Sequence, residues 1–191
     1  LRITTSSPFE LVAMDLISLP MTSTRYVGCL MVVDHFTKWV IAIPIRNKQS
    51  MTICQALEDR VLPNIPRVPV KILTDNGPEF VSQEFGALLE KYSIAHVRTT
   101  PYKPSSNGAI ERVNRTIGEL LRILTDEPRY WDTVLSKAVM TYNHTAHSEI
   151  GCTPAEKILT TPYDITTAPH LPAETRQPWA EGHPRYQPFK V

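Results

Sequence analysis

Cysteine is scarce in this sequence of 191 residues: Cys29, Cys54 and Cys152 lie far apart and form no C-x-x-C pair. That argues against a disulfide framework or a cysteine-based zinc site, and predicts free, buried thiols. No apolar run approaches the roughly 18 residues a membrane span needs, and no signal-peptide pattern opens the chain. A soluble, intracellular protein without a membrane partner is therefore expected. Nor does one sign of charge dominate: 20 Lys and Arg face 19 Asp and Glu, far from the basic excess by which many nucleic-acid binders declare themselves. There is no internal repeat.

What is present is ordinary in bulk and uneven in detail. An apolar fraction of 42% and a charged fraction of 20% suit a globular domain, and the length suits one domain plus extensions. Charge gathers locally. Arg98, Lys103, Arg112, Arg115 and Arg122 face only Glu111 and Glu119, and Arg25, Lys38, Arg46 and Lys48 face only Asp34.

The first half reads as strands over residues 10–19, 26–34 and 39–46, rich in Val, Ile and Leu and separated by short turns. A helix is expected from Ser50, as N-cap, to Leu62, with Ile53, Ala56, Leu57 and Val61 at helical spacing; the Pro-rich PNIPRVP ends it. A short strand over 70–74, a helix over 82–92 and a strand over 94–97 follow. TTPYKPSSNG is dense in turn formers and reads as a mobile loop. Beyond it, Ile110, Val113, Ile117, Leu120, Leu121 and Leu124 form the seam of a helix reaching Leu124. Further helices are expected over 130–145 and after Thr153–Pro154. This order predicts an α/β fold with a mixed sheet flanked by helices. Six of the 17 prolines fall between Pro162 and Pro188, so residues 1–160 are read as the domain and 161–191 as a Pro-rich linker.

Three carboxylates stand out only in combination. Asp15 interrupts the apolar LVAMDLISL, where a buried charge is costly without a partner; strand alternation could equally turn it to solvent. Asp75 ends an apolar strand ahead of Asn-Gly, at the kind of position where open sheets present ligand-binding groups. It could also be an ordinary turn starter. Glu111 opens a helix, where it could simply complement the dipole or pair with Arg115. Asp34 also ends an apolar strand and rivals Asp15.

MDLI, TDNGPEF and SSNGAIERVNRT, in that order, resemble the D,D-35-E signature of retroviral and retrotransposon integrases; 35 residues separate Asp75 from Glu111. VVDHFTKWVIAIPI and TYNHTAHSEIGCTPAEKIL are most similar to gypsy-class retrotransposon integrases, and the resemblance covers residues 8–160. It implies a ribonuclease-H-like fold with a five-stranded sheet. It also implies Asp15, on the first strand, with Asp75 and Glu111 as catalytic ligands of two Mg²⁺ (or Mn²⁺) ions. Such ions prefer hard oxygen donors and serve in-line displacement at phosphorus. The implied reactions are 3′-end processing of element DNA and its transfer into target DNA, in the nucleus, by a homo-oligomer of at least two copies. A domesticated descendant that binds nucleic acid or a protein without catalysis is the alternative.

The same resemblance turns Lys103, Ser105, Ser106, Asn107, Asn114 and Arg115 toward element DNA, and Asn76 toward target DNA. The basic members would meet phosphates. Arg112 and Arg122 read as solvated. His144 and His147 read as structural, with no zinc site. WAEGHPRYQPFKV looks like the approach to a C-terminal module that this chain lacks.

Overall fold

Alternation along the strands decides the layering. In the computed structural model, which describes residues 4–99 and 108–161, β1 (Leu11–Ser18), β2 (Gly28–Asp34) and β3 (Val40–Ile45) form an antiparallel meander. Val12 and Met14 of β1, with Leu30 and Val32 of β2, join one apolar cluster. Leu11 and Ala13, with Cys29, Met31 and Val33, join the other. Period-two alternation thus sends even and odd positions of β1 into separate cores, and the sheet is buried on both faces.

α1 (Ser50–Gln55) runs into a π-helical turn at Ala56–Val61 and a 3-10 turn at Leu62–Asn64. With α2 (Gln83–Lys91) it covers the first face through Ile53, Leu57, Phe85 and Leu89. α3 (Gly108–Leu124) and α4 (Trp131–Asn143) cover the second through Ile110, Val113, Ile117, Leu121, Trp131 and Leu135. The expected α3 seam is present, with Leu120 and Leu124 only partly buried. α5 (Pro154–Thr160) closes the described chain with a capping box: Thr153 Oγ1 accepts from Glu156 N–H while the Glu156 carboxylate accepts from Thr153 N–H.

β4 (Lys71–Thr74) pairs parallel to β1, and β5 (Ala95–Arg98) pairs parallel to β4, giving the order β3-β2-β1-β4-β5. This is the mixed five-stranded sheet expected from the sequence. One local expectation fails: Gln49, not Ser50, is the N-cap of α1, and it makes no side-chain cap bond. The Ser50 hydroxyl is taken instead by Ser82 Oγ at 2.6 Å and Glu84 Oε2 at 3.2 Å, so a tertiary contact overrides the local preference.

At the outer edge of β3, the Asn143 amide behaves like one residue of a neighbouring strand. Its Oδ1 accepts from Val40 N–H and its Nδ2 donates to Val40 O, both at 2.9 Å. Apart from Thr161, the expected linker over 161–191 lies outside the described residues. Among the described residues no helix is long and apolar enough to cross a membrane. The three cysteines are free; Cys29 and Cys54 are buried, and Cys152 is only half-buried.

Candidate active site

The parallel pair β1–β4 carries Asp15 and Asp75. The register matches Ala13 with Leu73, so two residues further on Asp15, midway along β1, stands beside Asp75, the first residue past the C-terminal end of β4. Asp15 belongs to the odd set of β1, with Leu11 and Ala13, whose face is covered by α3. There Asn114 Nδ2 donates to Asp15 Oδ2 at 2.8 Å, while Leu16 N–H donates to Oδ1 at 2.8 Å. Asn114 lies three residues after Glu111 on α3, so this bond draws the first turns of α3 to the two strand ends.

Burial, above all, raises the Asp15 pKa; Asp75 and Glu111 raise it further by repulsion, against the Leu16 and Asn114 donors. Asp15 thus lies within the field of two further carboxylates, an anionic focus beside the end of β4.

Asp75 is held by its backbone as much as by its side chain. Its Oδ1 accepts from Gly77 N–H at 2.9 Å. A Cβ at position 77 would stand 3.0 Å from that same oxygen and 2.8 Å from Glu79 Oε1, so a side chain there would crowd the Asp75 carboxylate and push the Glu79 side chain aside. Behind it, buried Thr74 donates its hydroxyl to Asp75 O at 2.8 Å, leaving that oxygen to accept from His96 Nε2 at 2.8 Å. His96 packs edge-on against Phe85; burial, then Arg98, hold its pKa below the usual imidazole value. Neither Thr74 nor His96 stood out in the sequence, because their partnership crosses from β4 to β5.

Asp34 ends β2 and faces the other side of the sheet. It pairs with Val12, about 10 Å along β1 from Asp15 at the usual strand rise. Its Oδ1 accepts from Phe9 N–H at 2.8 Å, and its Oδ2 from Thr37 N–H at 2.8 Å and Thr37 Oγ1 at 2.6 Å. Burial raises its pKa, and these donors, with Phe36 N–H, oppose the rise. The side chain ties the start of β1 to the β2–β3 turn and is remote from Asp75.

The remaining candidates divide. Asn76 is exposed and donates Nδ2 to Thr99 O at 2.9 Å. Arg115 is exposed on α3, one turn beyond Glu111. Arg112 is not merely solvated: Nη2 pairs with Glu149 Oε1 at 2.9 Å. Lys103, Ser105, Ser106 and Asn107 lie outside the described residues. His144 Nδ1 lies 2.9 Å from Met140 O, and His147 stacks on Tyr142, as side chains with structural partners do.

The donor set fits a divalent ion in kind, since all three acids offer hard oxygen. Among the described residues, however, no three of His, Cys, Asp and Glu are close enough together to grip one. Each Asp15 oxygen accepts one N–H donor, which leaves each a lone pair for a cation and fixes the direction in which it is offered.

A family model described as the integrase core domain matches residues 5–104. The Tf2-3 and Tf2-4 transposon polyproteins of Schizosaccharomyces pombe are each 30% identical over 151 residues, covering 78% of this chain and 11% of each polyprotein. The chain therefore spans about a ninth of those relatives. The catalytic core domain of BIV integrase superposes with a TM-score of 0.65 at 22% identity, covering 78% of this chain and 93% of that one. The HTLV-2 integrase catalytic core, solved with magnesium in a trimeric form, gives 0.59 at 27% identity, covering 78% and 95%. The fold is thus ribonuclease-H-like.

Proposed function

The chain belongs to the integrase core domain family, and on that premise we propose that it carries out phosphodiester transfer for DNA integration through Asp15, Asp75 and Glu111. The observation that carries the reading is the register that sets Asp15 beside Asp75 at the end of β4, where Asp75 and Glu111 both raise the proton affinity of Asp15. Protons and divalent cations relieve the same repulsion, so a site that raises an acid's pKa in this way is also one that rewards a cation.

Asp15, Asp75 and Glu111 would hold Mg²⁺ or Mn²⁺. Bound there, a pair of such ions would polarise the phosphodiester and activate the attacking oxygen. The residues of this chain orient the reaction. The Gly77 turn and the Thr74–His96 contact fix Asp75, Asn114 steers Asp15, and Arg115 steadies a DNA phosphate as it approaches. Lys103, Ser105, Ser106, Asn107 and Asn76 would complete the DNA surface. With DNA as substrate, the nucleus is the place of action.

Self-association belongs to the same reading. An apolar groove of about 390 Å³ is lined by Trp39, Ile41, Ile43, Val139 and Met140, with Met140 63% exposed. A second copy of the chain is its expected occupant, as the trimeric HTLV-2 core is also a self-assembly.

The test is strand transfer, or its reversal, on a labelled DNA oligonucleotide with Mg²⁺ or Mn²⁺. Activity should fall to background in Asp75→Asn and in Glu111→Gln while both variants stay folded. A folded wild-type chain that neither binds metal nor nicks DNA would overturn the proposal and favour the non-catalytic binding alternative.

A further inference from the structure

One turn past the carboxylates, α3 borders a second polar feature. Arg112, Arg115 and Thr116 of α3, Lys38 of the β2–β3 turn, and His147 and Glu149 of the turn before α5 surround a cavity of about 280 Å³. Glu149 stands between two of the cations, 3.1 Å from Lys38 Nζ and 2.9 Å from Arg112 Nη2. Three permanent cations face this one carboxylate across the cavity, so the lining keeps a positive excess. The field is felt nearby: after burial, Lys38 is the next cause holding the His35 pKa down; Glu149 opposes it, and Arg112 acts with Lys38.

The construction is more specific than a solvated basic face. The Lys38 side chain is only 15% exposed, so its stem is packed and its ammonium is aimed. Its backbone has φ 63°, a left-handed conformation uncommon for a non-glycine residue. Arg112 and Arg115 are three residues apart on one helix and border the same space. Arg112 and Arg115 stand one and four residues past Glu111 on α3, within about 6 Å of rise along the helix. That is one or two nucleotide steps at about 3.4 Å of rise per strand.

We infer that this pocket receives a backbone phosphate of the DNA strand whose neighbouring phosphodiester lies at the carboxylates, with Glu149 as a built-in anion that the phosphate displaces. The inference rests on the proposed DNA reading of the carboxylate site. Glu149 is half-exposed, with its side chain at 38%, so its ion pairs are screened and cheap to exchange. A phosphate offers Arg112 and Arg115 the paired oxygens that guanidinium groups recognise best. In the absence of DNA, Glu149 keeps Lys38 and Arg112 extended toward the place the phosphate will take.

The experiment is fluorescence anisotropy of the full chain on two duplexes of unrelated sequence, in EDTA, across a range of salt. Lys38→Gln and Arg112→Gln should each weaken both duplexes alike and lower the slope of log K against log salt by about 0.9. Glu149→Gln, which removes the displaced anion and leaves every cation, should tighten binding several-fold. Arg122→Gln, on α3 but outside the cavity, is the control, and thermal melts check that each variant is folded.

Weaker or unchanged binding in Glu149→Gln would overturn the assignment, and so would pocket variants that behave like Arg122→Gln. Inorganic phosphate that occupies the pocket without altering the DNA slope would assign it to a free anion and overturn it too. Because metal is excluded, loss of strand transfer does not bear on the result. A wild-type chain that binds neither duplex would bring down the DNA reading together with the pocket.

Discussion

Two aspartates sit on the β1–β2 ladder, Asp34 at one end and Asp15 three residues along on the other face, and they are built in opposite ways. Asp34 is 1% exposed and answered on every side by donors from its own neighbourhood: Phe9 N–H, Thr37 N–H and the Thr37 hydroxyl. Asp15 is half-buried, has one backbone donor and one flexible amide, and faces two further acids. A carboxylate saturated by the fold holds the fold together. One left under-compensated among like charges stores a demand for something from outside. In both cases burial raises the pKa, so the shift alone does not tell the two apart; the partners do.

The same substitution should break this symmetry most strongly at Asp34. In Asp34→Asn, an NH₂ group would face either Phe9 N–H or the two Thr37 donors. Leaving such buried donors unmatched costs about 1–3 kcal/mol each, so a loss of about 2–4 kcal/mol is expected from urea unfolding. A loss below about 1 kcal/mol would show that the Asp34 cluster is not a structural clamp.

Metal should sharpen the contrast from the other side. If Asp15, Asp75 and Glu111 take Mn²⁺, an ion at a hundred times its Kd stabilises the wild type by about 2.7 kcal/mol. Asp15→Asn should abolish that gain. A calorimetric melt with and without Mn²⁺ measures it, and an equal gain in Asp15→Asn would locate the metal elsewhere.

The smallest effect is the stability of Asp15→Asn itself. Its amide can still accept from Leu16 N–H, and the buried Asn114 Oδ1, which has no partner among the described residues, can accept from the new NH₂ after an amide flip. At neutral pH the variant should differ from the wild type by no more than about 0.5 kcal/mol, with the change in its favour. The pH dependence has a definite sign. A raised folded pKa means that the native state binds the extra proton. The contribution of Asp15 is therefore fully present below the ordinary aspartate value, and is lost as pH rises through the raised one. Wild-type stability should decline relative to Asp15→Asn over that window; a difference that grows with pH would contradict the assigned direction.

Sequence alone carried the periodic parts of this molecule. The α3 seam and the alternating strands follow from spacing, and Asp75 was legible because its strand end and Asn-Gly turn are contiguous. The rivalry of Asp15 and Asp34 could not be resolved that way. Both interrupt apolar strands, and what separates them is which end and which face each occupies, a matter of register between β1, β2 and β4. Ser50 misled for a similar reason: its hydroxyl answers to Ser82 and Glu84, more than thirty residues away. Lys38 and Glu149 are 111 residues apart, and neither carries a local hint of the other.

The Asn143 amide bound to Val40 has a consequence for how copies of this chain can meet. In an antiparallel edge strand every second residue turns its peptide groups outward; on β3 these are Val40, Ala42 and Pro44. Val40 is occupied by Asn143, and proline has no N–H to offer. Ala42 is the only full peptide pair left on that edge, too little to template a further strand. Growth of the sheet from molecule to molecule, the first step toward an amyloid-like ribbon, is blocked at β3, and a second copy docking on that edge would be recognised through side chains.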